Sequence, residues 1–154
     1  QFTKFNLDKV QKLDPVKTKD VSIYSYDLRI EDIDGTVHQL DKFKGEVVFI
    51  NFWASWCVPC LAEFSSLSVL IQKLPEVRFA IIGLEDAKSF KKYISKTKHE
   101  LPFYRQLTPL PGQINPSAVP SSFVIDRDGK VIYKYLGAAD WESNQVADQI
   151  KSLL

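Results

Sequence analysis

The sequence predicts an α/β domain with a central mixed sheet, helices on both faces and an N-terminal β-hairpin. Three observations predict it. Val47-Val48-Phe49-Ile50-Asn51-Phe52 is a short apolar run, rich in β-branched and aromatic residues, with the length of a buried strand. It is followed by Leu61, Phe64, Leu67, Ile71 and Leu74 at the spacing of a helix with one buried face. A second apolar run, Val77–Leu84, precedes a second helical pattern, and two Asp-Gly signals each separate extended segments. At 154 residues the chain amounts to one ordinary domain, long enough for a substantial core.

The elements follow in chain order. Residues 1–20 carry five lysines, a proline and scattered apolar positions. They read as an arm or linker ahead of a domain spanning residues 21–154, or as one short helical turn through Leu7, Val10 and Leu13. Ser22–Ile30 and Thr36–Leu40 are extended segments joined by Glu31-Asp32-Ile33-Asp34-Gly35, whose acids are solvated turn residues. Residues 40–45 form a short turn into the central strand. Asp86 is placed as the N-cap of a helix with Phe90, Tyr93, Ile94 and Thr97 on one face. Lys88, Lys91, Lys92, Lys96 and Lys98 fall mostly on its solvated side. Strand, helix and strand in this order need a right-handed crossover. Pro109, Pro111 and Pro116 exclude a regular helix from Gln106–Ala118, which reads as a partner-specific surface or an inert loop. Ser121–Asp126 and Lys130–Leu136 form a second hairpin. Asp140 is expected to cap a final helix that turns Val146, Ile150 and Leu153 inward. No internal repeat is present.

Composition narrows the function. Hydrophobic residues at 45% and charged residues at 25% are those of a globular domain. A net charge of +1 provides no electrostatic reason for binding nucleic acid or an acidic membrane. No apolar run approaches the roughly 18 residues of a membrane helix. The chain has no methionine, even at position 1, so it is expected to be a processed or truncated product. A removed signal peptide or membrane anchor would fit that reading and would place the protein outside the cytoplasm.

The only two cysteines, Cys57 and Cys60, stand two residues apart where the first buried strand ends and its helix begins. The first N–H groups of a helix lack intrahelical partners, and the macrodipole adds partial positive charge there. A thiolate at that spot is stabilised, which makes Cys57 the nucleophile. Pro59 falls in the first turn, where its missing N–H does no harm. Cys60, one turn inward and less exposed, resolves the mixed disulfide that Cys57 forms. Three other readings compete. A structural disulfide closing so short a ring would contribute roughly 2 kcal/mol against about 4.7 for a 100-residue loop. A structural zinc site would need a second pair of ligands, and His38 and His99 stand far apart in sequence. Two inert buried thiols do not explain the strand-to-helix location.

The stretch Phe49–Cys60, the Glu63-Phe64 that follows, and Val119-Pro120-Ser121-Ser122-Phe123-Val124-Ile125-Asp126 resemble the thioredoxin superfamily. The chain looks most like its TlpA/ResA-like extracytoplasmic thiol–disulfide oxidoreductases, from about Asp20 to the C-terminus. The resemblance implies a thioredoxin fold with the N-terminal hairpin of this branch. It implies a cis peptide bond before Pro120, facing the cysteines and leaving the Val119 backbone free to pair with an extended substrate. Glu63 reads from sequence alone as a surface acid at the helix start. The resemblance makes it instead a partly buried carboxyl that exchanges a proton with Cys60. Asn51 stands where thioredoxins proper carry an aspartate, and an amide cannot titrate.

Trp56, Val58, Pro59, Val119 and Pro120 are the expected substrate contacts, with Trp56 in an apolar lip. Val58-Pro59 adds no charge near the thiolate, which favours a reducing pair. No cofactor beyond the cysteines and no resident metal is expected. By resemblance the substrates are disulfides of exported proteins, apocytochrome c cysteines among them, with a membrane thiol carrier as electron donor. Two alternatives stand beside this: a copper or zinc metallochaperone using the same cysteines, and a redox module regulating a partner. His38 and His99 read as structural or exposed.

Overall fold

β4 (Val48–Trp53) lies inside the sheet because all six of its side chains are buried and neither face can meet water. The computed structural model describes residues 7–17 and 21–154. The other strands are β1 (Asp14–Pro15), β2 (Arg29–Asp32), β3 (Val37–Gln39), β5 (Arg78–Gly83), β6 (Phe103–Gln106), β7 (Ser121–Ile125) and β8 (Val131–Leu136). They form one eight-stranded sheet in the order β1-β8-β7-β4-β5-β6-β2-β3. β4 and β5 pair in parallel, as do β5 and β6, and the remaining pairs are antiparallel.

Four α-helices follow: α1 (Val58–Ala62), α2 (Phe64–Lys73), α3 (Ala87–Lys96) and α4 (Asn144–Lys151). From β4 to β5 to β6 the chain steps in one direction, so two right-handed crossovers place α1, α2 and α3 on the same face. One buried cluster joins that face to α4 through Phe49, Trp53, Phe64, Phe90, Trp141, Val146 and Ile150. The opposite face, with Val48, Ile50, Phe52, Ala80 and Ile82, is closed by short 3-10 helices at Ile23–Ser25, Leu40–Phe43 and Gly112–Ile114. Helices therefore cover both faces as expected, with the α-helices on one and the 3-10 helices on the other. The prolines of Gln106–Ala118 explain the last of these short helices, since they leave room for no more than a single turn.

Both Asp-Gly signals mark hairpins, with Gly35 and Gly129 at φ +84 where a Cβ would be strained. Four expectations are corrected. Ser22–Tyr26 is not strand, because Ser22 accepts the Tyr24 N–H and nucleates the first 3-10 helix. Glu31 and Asp32 are partnered rather than simply solvated, to Arg105 and to His38. β6 has no counterpart in the expected strands, yet it joins the β2–β3 hairpin to the sheet. Ser143, not Asp140, caps α4, its hydroxyl accepting the Val146 N–H at 3.3 Å.

The boundary near residue 20 also changes. The expectation of an arm at residues 1–6 and 18–20 lies outside the described residues. Residues 8–16 are packed on the domain: β1 pairs with β8, and Val10 and Leu13 are buried in the main cluster. Their apolar side chains are far apart in sequence from the helix that covers them, so no local pattern announces the burial. Leu13→Ala should lower the stability of the oxidised protein by about 2–5 kcal/mol. Urea unfolding checks this, and an unchanged midpoint would mean the arm is not part of the fold.

Candidate active site

The site is built where β4 stops. Trp53, its last residue, is fully buried among the rings of Phe64, Phe90, Tyr93 and Phe103. Gly83 makes this possible, since a Cβ there would stand 3.2 Å from the indole. The chain then turns, with the Ser55 N–H donating to the Glu85 carboxylate and the Cys57 N–H to the Ala54 carbonyl at 3.0 Å. Cys57 arrives as the N-cap of α1, and its Sγ accepts the Cys60 N–H at 3.2 Å. A sulfur thus takes the capping position that a Ser or Asp oxygen usually fills.

Cys57 and Cys60 are joined as a disulfide, with Cα atoms 5.3 Å apart. Both cysteines are buried, Cys60 fully and Cys57 to 4% exposure. The Val119–Pro120 bond is cis, as the resemblance implied, and the Val119 carbonyl oxygen lies 3.8 Å from Cys57 Sγ. Among the described residues the Val119 N–H and carbonyl have no backbone partner, so both can meet an incoming chain. Around the pair, Trp56 is 75% exposed and Val58 53%, with Pro59 and Val119 half-buried. All five residues expected to touch substrate are gathered here, although Pro120 itself is buried.

Glu63 occupies the break between α1 and α2, and its carboxyl is fully buried. Oε2 accepts the Trp141 indole N–H and the Ala139 backbone N–H, each at 2.9 Å. Oε1 accepts from Asn51 Nδ2 at 3.3 Å, and that amide also donates to Ser122 Oγ at 3.0 Å. Burial pushes the Glu63 carboxyl up to about 7, while the donors from Trp141, Ala139 and Asn51 pull it back down. The acid is deeper than the partly buried group expected. Among the described residues it has no hydrogen bond to either sulfur of the disulfide.

Asn51 stands out in the sequence, but the other two partners of Glu63 are not legible there. Trp141 is a lone tryptophan near the C-terminus, and Ala139 acts through its backbone, so neither carries a motif. Trp53, by contrast, is a fully buried core side chain. His38 sits between Asp32 and Lys42, at 2.7 Å from each, and the His99 ring packs edge-on against Phe64. Among the described residues, no three His, Cys, Asp or Glu side chains are grouped as a metal site.

A carboxyl whose folded pKa lies above its unfolded value favours the fold while protonated. Its contribution is whole below about 4.5 and is lost as pH rises through about 7. Between pH 5 and 8 the oxidised wild type should lose roughly 2–3 kcal/mol more stability than Glu63→Gln. Urea unfolding of both at the two pH values measures this, and equal losses would contradict the raised pKa.

Comparison with known proteins agrees with the geometry. The model of the Redoxin family matches residues 11–150. A thiol-disulfide oxidoreductase ResA of Bacillus cereus is 33% identical over 112 residues, covering 70% of this chain and 65% of that protein. The chain thus spans just under two thirds of that relative. A ResA of Bacillus thuringiensis subsp. konkukian is 33% identical over 131 residues, 80% of this chain and 73% of its own. Among solved structures, a Bacteroides vulgatus protein assigned as a thiol-disulfide oxidoreductase is 25% identical. It superposes with a TM-score of 0.72 over 94% of this chain and 100% of that one. The exposed lipoprotein thioredoxin of Streptococcus pneumoniae, 20% identical, shares the fold with a TM-score of 0.64 over 83% and 100%. The chain belongs to the Redoxin family, within the thioredoxin superfamily, as a ResA-like member.

Proposed function

We propose that this chain reduces disulfides in exported proteins outside the cytoplasm, with Cys57 as nucleophile, Cys60 as resolving thiol and Glu63 as proton carrier. The observation that carries the reading is Cys57 at the N-cap of α1, receiving a backbone N–H and facing the free Val119 backbone. In the reduced protein the Cys57 thiolate attacks one sulfur of a substrate disulfide, and the other leaves as a thiolate that takes up a proton. Cys60 then gives its proton to Glu63 and attacks Cys57 Sγ. The substrate's second sulfur departs as a thiolate, and the Cys57–Cys60 disulfide is left. Two electrons have passed from the dithiol to the substrate, and a thiol donor must return them. A carboxyl titrating near 7 can take and give a proton at neutral pH, which an ordinary glutamate does poorly.

Trp56, Val58, Pro59 and Val119 form the rim against which the substrate chain lies, paired to the Val119 backbone beside buried Pro120. The cysteines carry the redox equivalents without a further cofactor. The relatives named thiol-disulfide oxidoreductase ResA support disulfide exchange. The resemblance read from the sequence extends the proposal to exported proteins, with apocytochrome c cysteines as one candidate substrate and a membrane thiol carrier as donor. Among the described residues no helix is long and apolar enough to cross a membrane. The exposed lipoprotein thioredoxin of Streptococcus pneumoniae has this fold, in keeping with the placement.

The equilibrium reduction potential in graded thiol–disulfide buffers tests the direction. A value near or below about −250 mV fits a reductant, and a value near about −120 mV would make the protein an oxidant. Absence of a two-electron couple would sink the exchange reaction and leave metal carriage by the two sulfurs as the better account. Roles are tested by trapping: Cys60→Ser should accumulate a mixed disulfide through Cys57 with a disulfide-bonded peptide, and Cys57→Ser should not.

A further inference from the structure

Residues 8–16 do more than cover apolar surface. The Asp140 N–H donates to the Asp8 carbonyl at 2.8 Å, and the Val10 N–H donates to the Asp140 carbonyl at 3.0 Å. Both backbone groups of Asp140 are therefore held by this segment. Three residues on, the Leu13 N–H donates to Gln149 Oε1 at 2.8 Å and Gln149 Nε2 donates back to the Leu13 carbonyl at 3.1 Å. Val10 and Leu13 lie in the same buried cluster as Ala139, Trp141, Val146 and Ile150.

Asp140 stands between the two residues whose N–H groups meet Glu63 Oε2. The other hydrogen bonds of this loop are Gly137 N–H to the Pro120 carbonyl at 2.9 Å, Trp141 N–H to Ser66 Oγ at 3.0 Å and, within the loop, Glu142 N–H to Asp140 Oδ1 and Ser143 N–H to the Trp141 carbonyl, each at 2.9 Å. The Trp141 ring packs edge-on against Phe49 and Tyr135. We propose that the segment from Asp8 to Leu13 is a positioning element of the active site, clamping Asp140 and Gln149 so that Ala139 and Trp141 stay aimed at Glu63. Its catalytic consequence rests on the proton-carrying role of Glu63, but the clamp itself does not.

Donors aimed at a carboxylate favour its ionised form, and a buried carboxyl that loses one returns toward the neutral state. Release of the segment therefore raises the pH at which Glu63 titrates. The titratable groups around it are few. Cys60, one turn back on α1, is held in the disulfide and does not titrate in the oxidised protein. Tyr135 of β8 is held above its ordinary value by burial, then by Asp8, Glu63 and Asp14. Asn51 of β4 and Ser122 of β7, which complete the network, do not titrate.

The test uses the full oxidised chain labelled with carbon-13 at glutamate side chains, with the Glu63 signal assigned by its loss in Glu63→Gln. Gln149→Leu removes both bonds to Leu13 while keeping bulk, and Leu13→Ala withdraws the buried anchor, with Leu13→Met as the conservative control. The Glu63 midpoint should rise by about one pH unit in Gln149→Leu and Leu13→Ala, about the worth of one charged hydrogen bond, and stay put in Leu13→Met. No shift in Gln149→Leu would overturn the clamp. A downward shift would overturn it too, because the segment would then be a seal against water. The rate of reaction of the reduced proteins with oxidised glutathione, followed against pH, separates the two claims. A moved midpoint with a wild-type rate profile unaltered by Glu63→Gln keeps the clamp and removes the proton-carrying role. A profile altered by Glu63→Gln, with no midpoint shift in the segment variants, keeps that role and removes the clamp.

Discussion

A carboxyl buried with no cation beside it is costly, and the centre of this protein is arranged around that cost. Glu63 is fully enclosed, and among the described residues its compensation comes entirely from neutral donors: an indole, a backbone N–H and an amide. Neutral donors hold a carboxyl without forcing it to stay charged, as an arginine would. The group is left near the pH at which it can change state. The donors come from β4 and from the loop between β8 and α4, and that loop is in turn held by residues 8–10. The helix also breaks at Glu63, which turns the side chain inward between α1 and α2.

The disulfide lies just before Glu63 in the chain and on the same cluster, yet it obeys a different constraint. Cys57 must be held by the start of a helix and still face outward toward a partner. The turn from Trp53 to Cys57 meets both needs. Its inner side is fixed by the buried Trp53 and by the Ser55 bond to Glu85, and its outer side leaves Trp56 and Val58 in water. Exposed apolar side chains beside an unpaired backbone segment suit an extended chain of varied sequence, because the main chain supplies the pairing and the rim supplies the contact.

The two faces of the sheet divide the work. The α-helices pack on one side, together with both cysteines and the Trp141 that meets Glu63. The other side carries an apolar cluster closed by 3-10 turns and by the β2–β3 hairpin. Pro120 marks where the two meet, since its neighbour Val119 packs against both clusters. A proline-rich connection is sufficient on the second face to cover its apolar side chains, with Ile114 buried and Leu110 packed against the cluster.

The sequence alone determined the strand-to-helix junction, the places of the two cysteines within it, both Asp-Gly hairpins and the Asp86 cap of α3. These are local facts: periodicity, turn chemistry and capping act over a few residues, so they can be read in order along the chain. It did not determine the burial of Val10 and Leu13, the strand β6, the Ser143 cap or the company of Glu63. Most of these depend on residues more than a helix length away in the chain. A short strand such as β6 forms only when β5 and β2 offer their edges, and Asp140 is not the cap because α4 begins only at Asn144 and the Asp140 carboxylate accepts the Glu142 N–H instead. Glu63 is the clearest case. One turn from Cys60 on an amphipathic pattern, it has the spacing of a surface acid and of a buried proton carrier alike. Only the tertiary structure, by closing Trp141 and Ala139 over it, decided which environment it has.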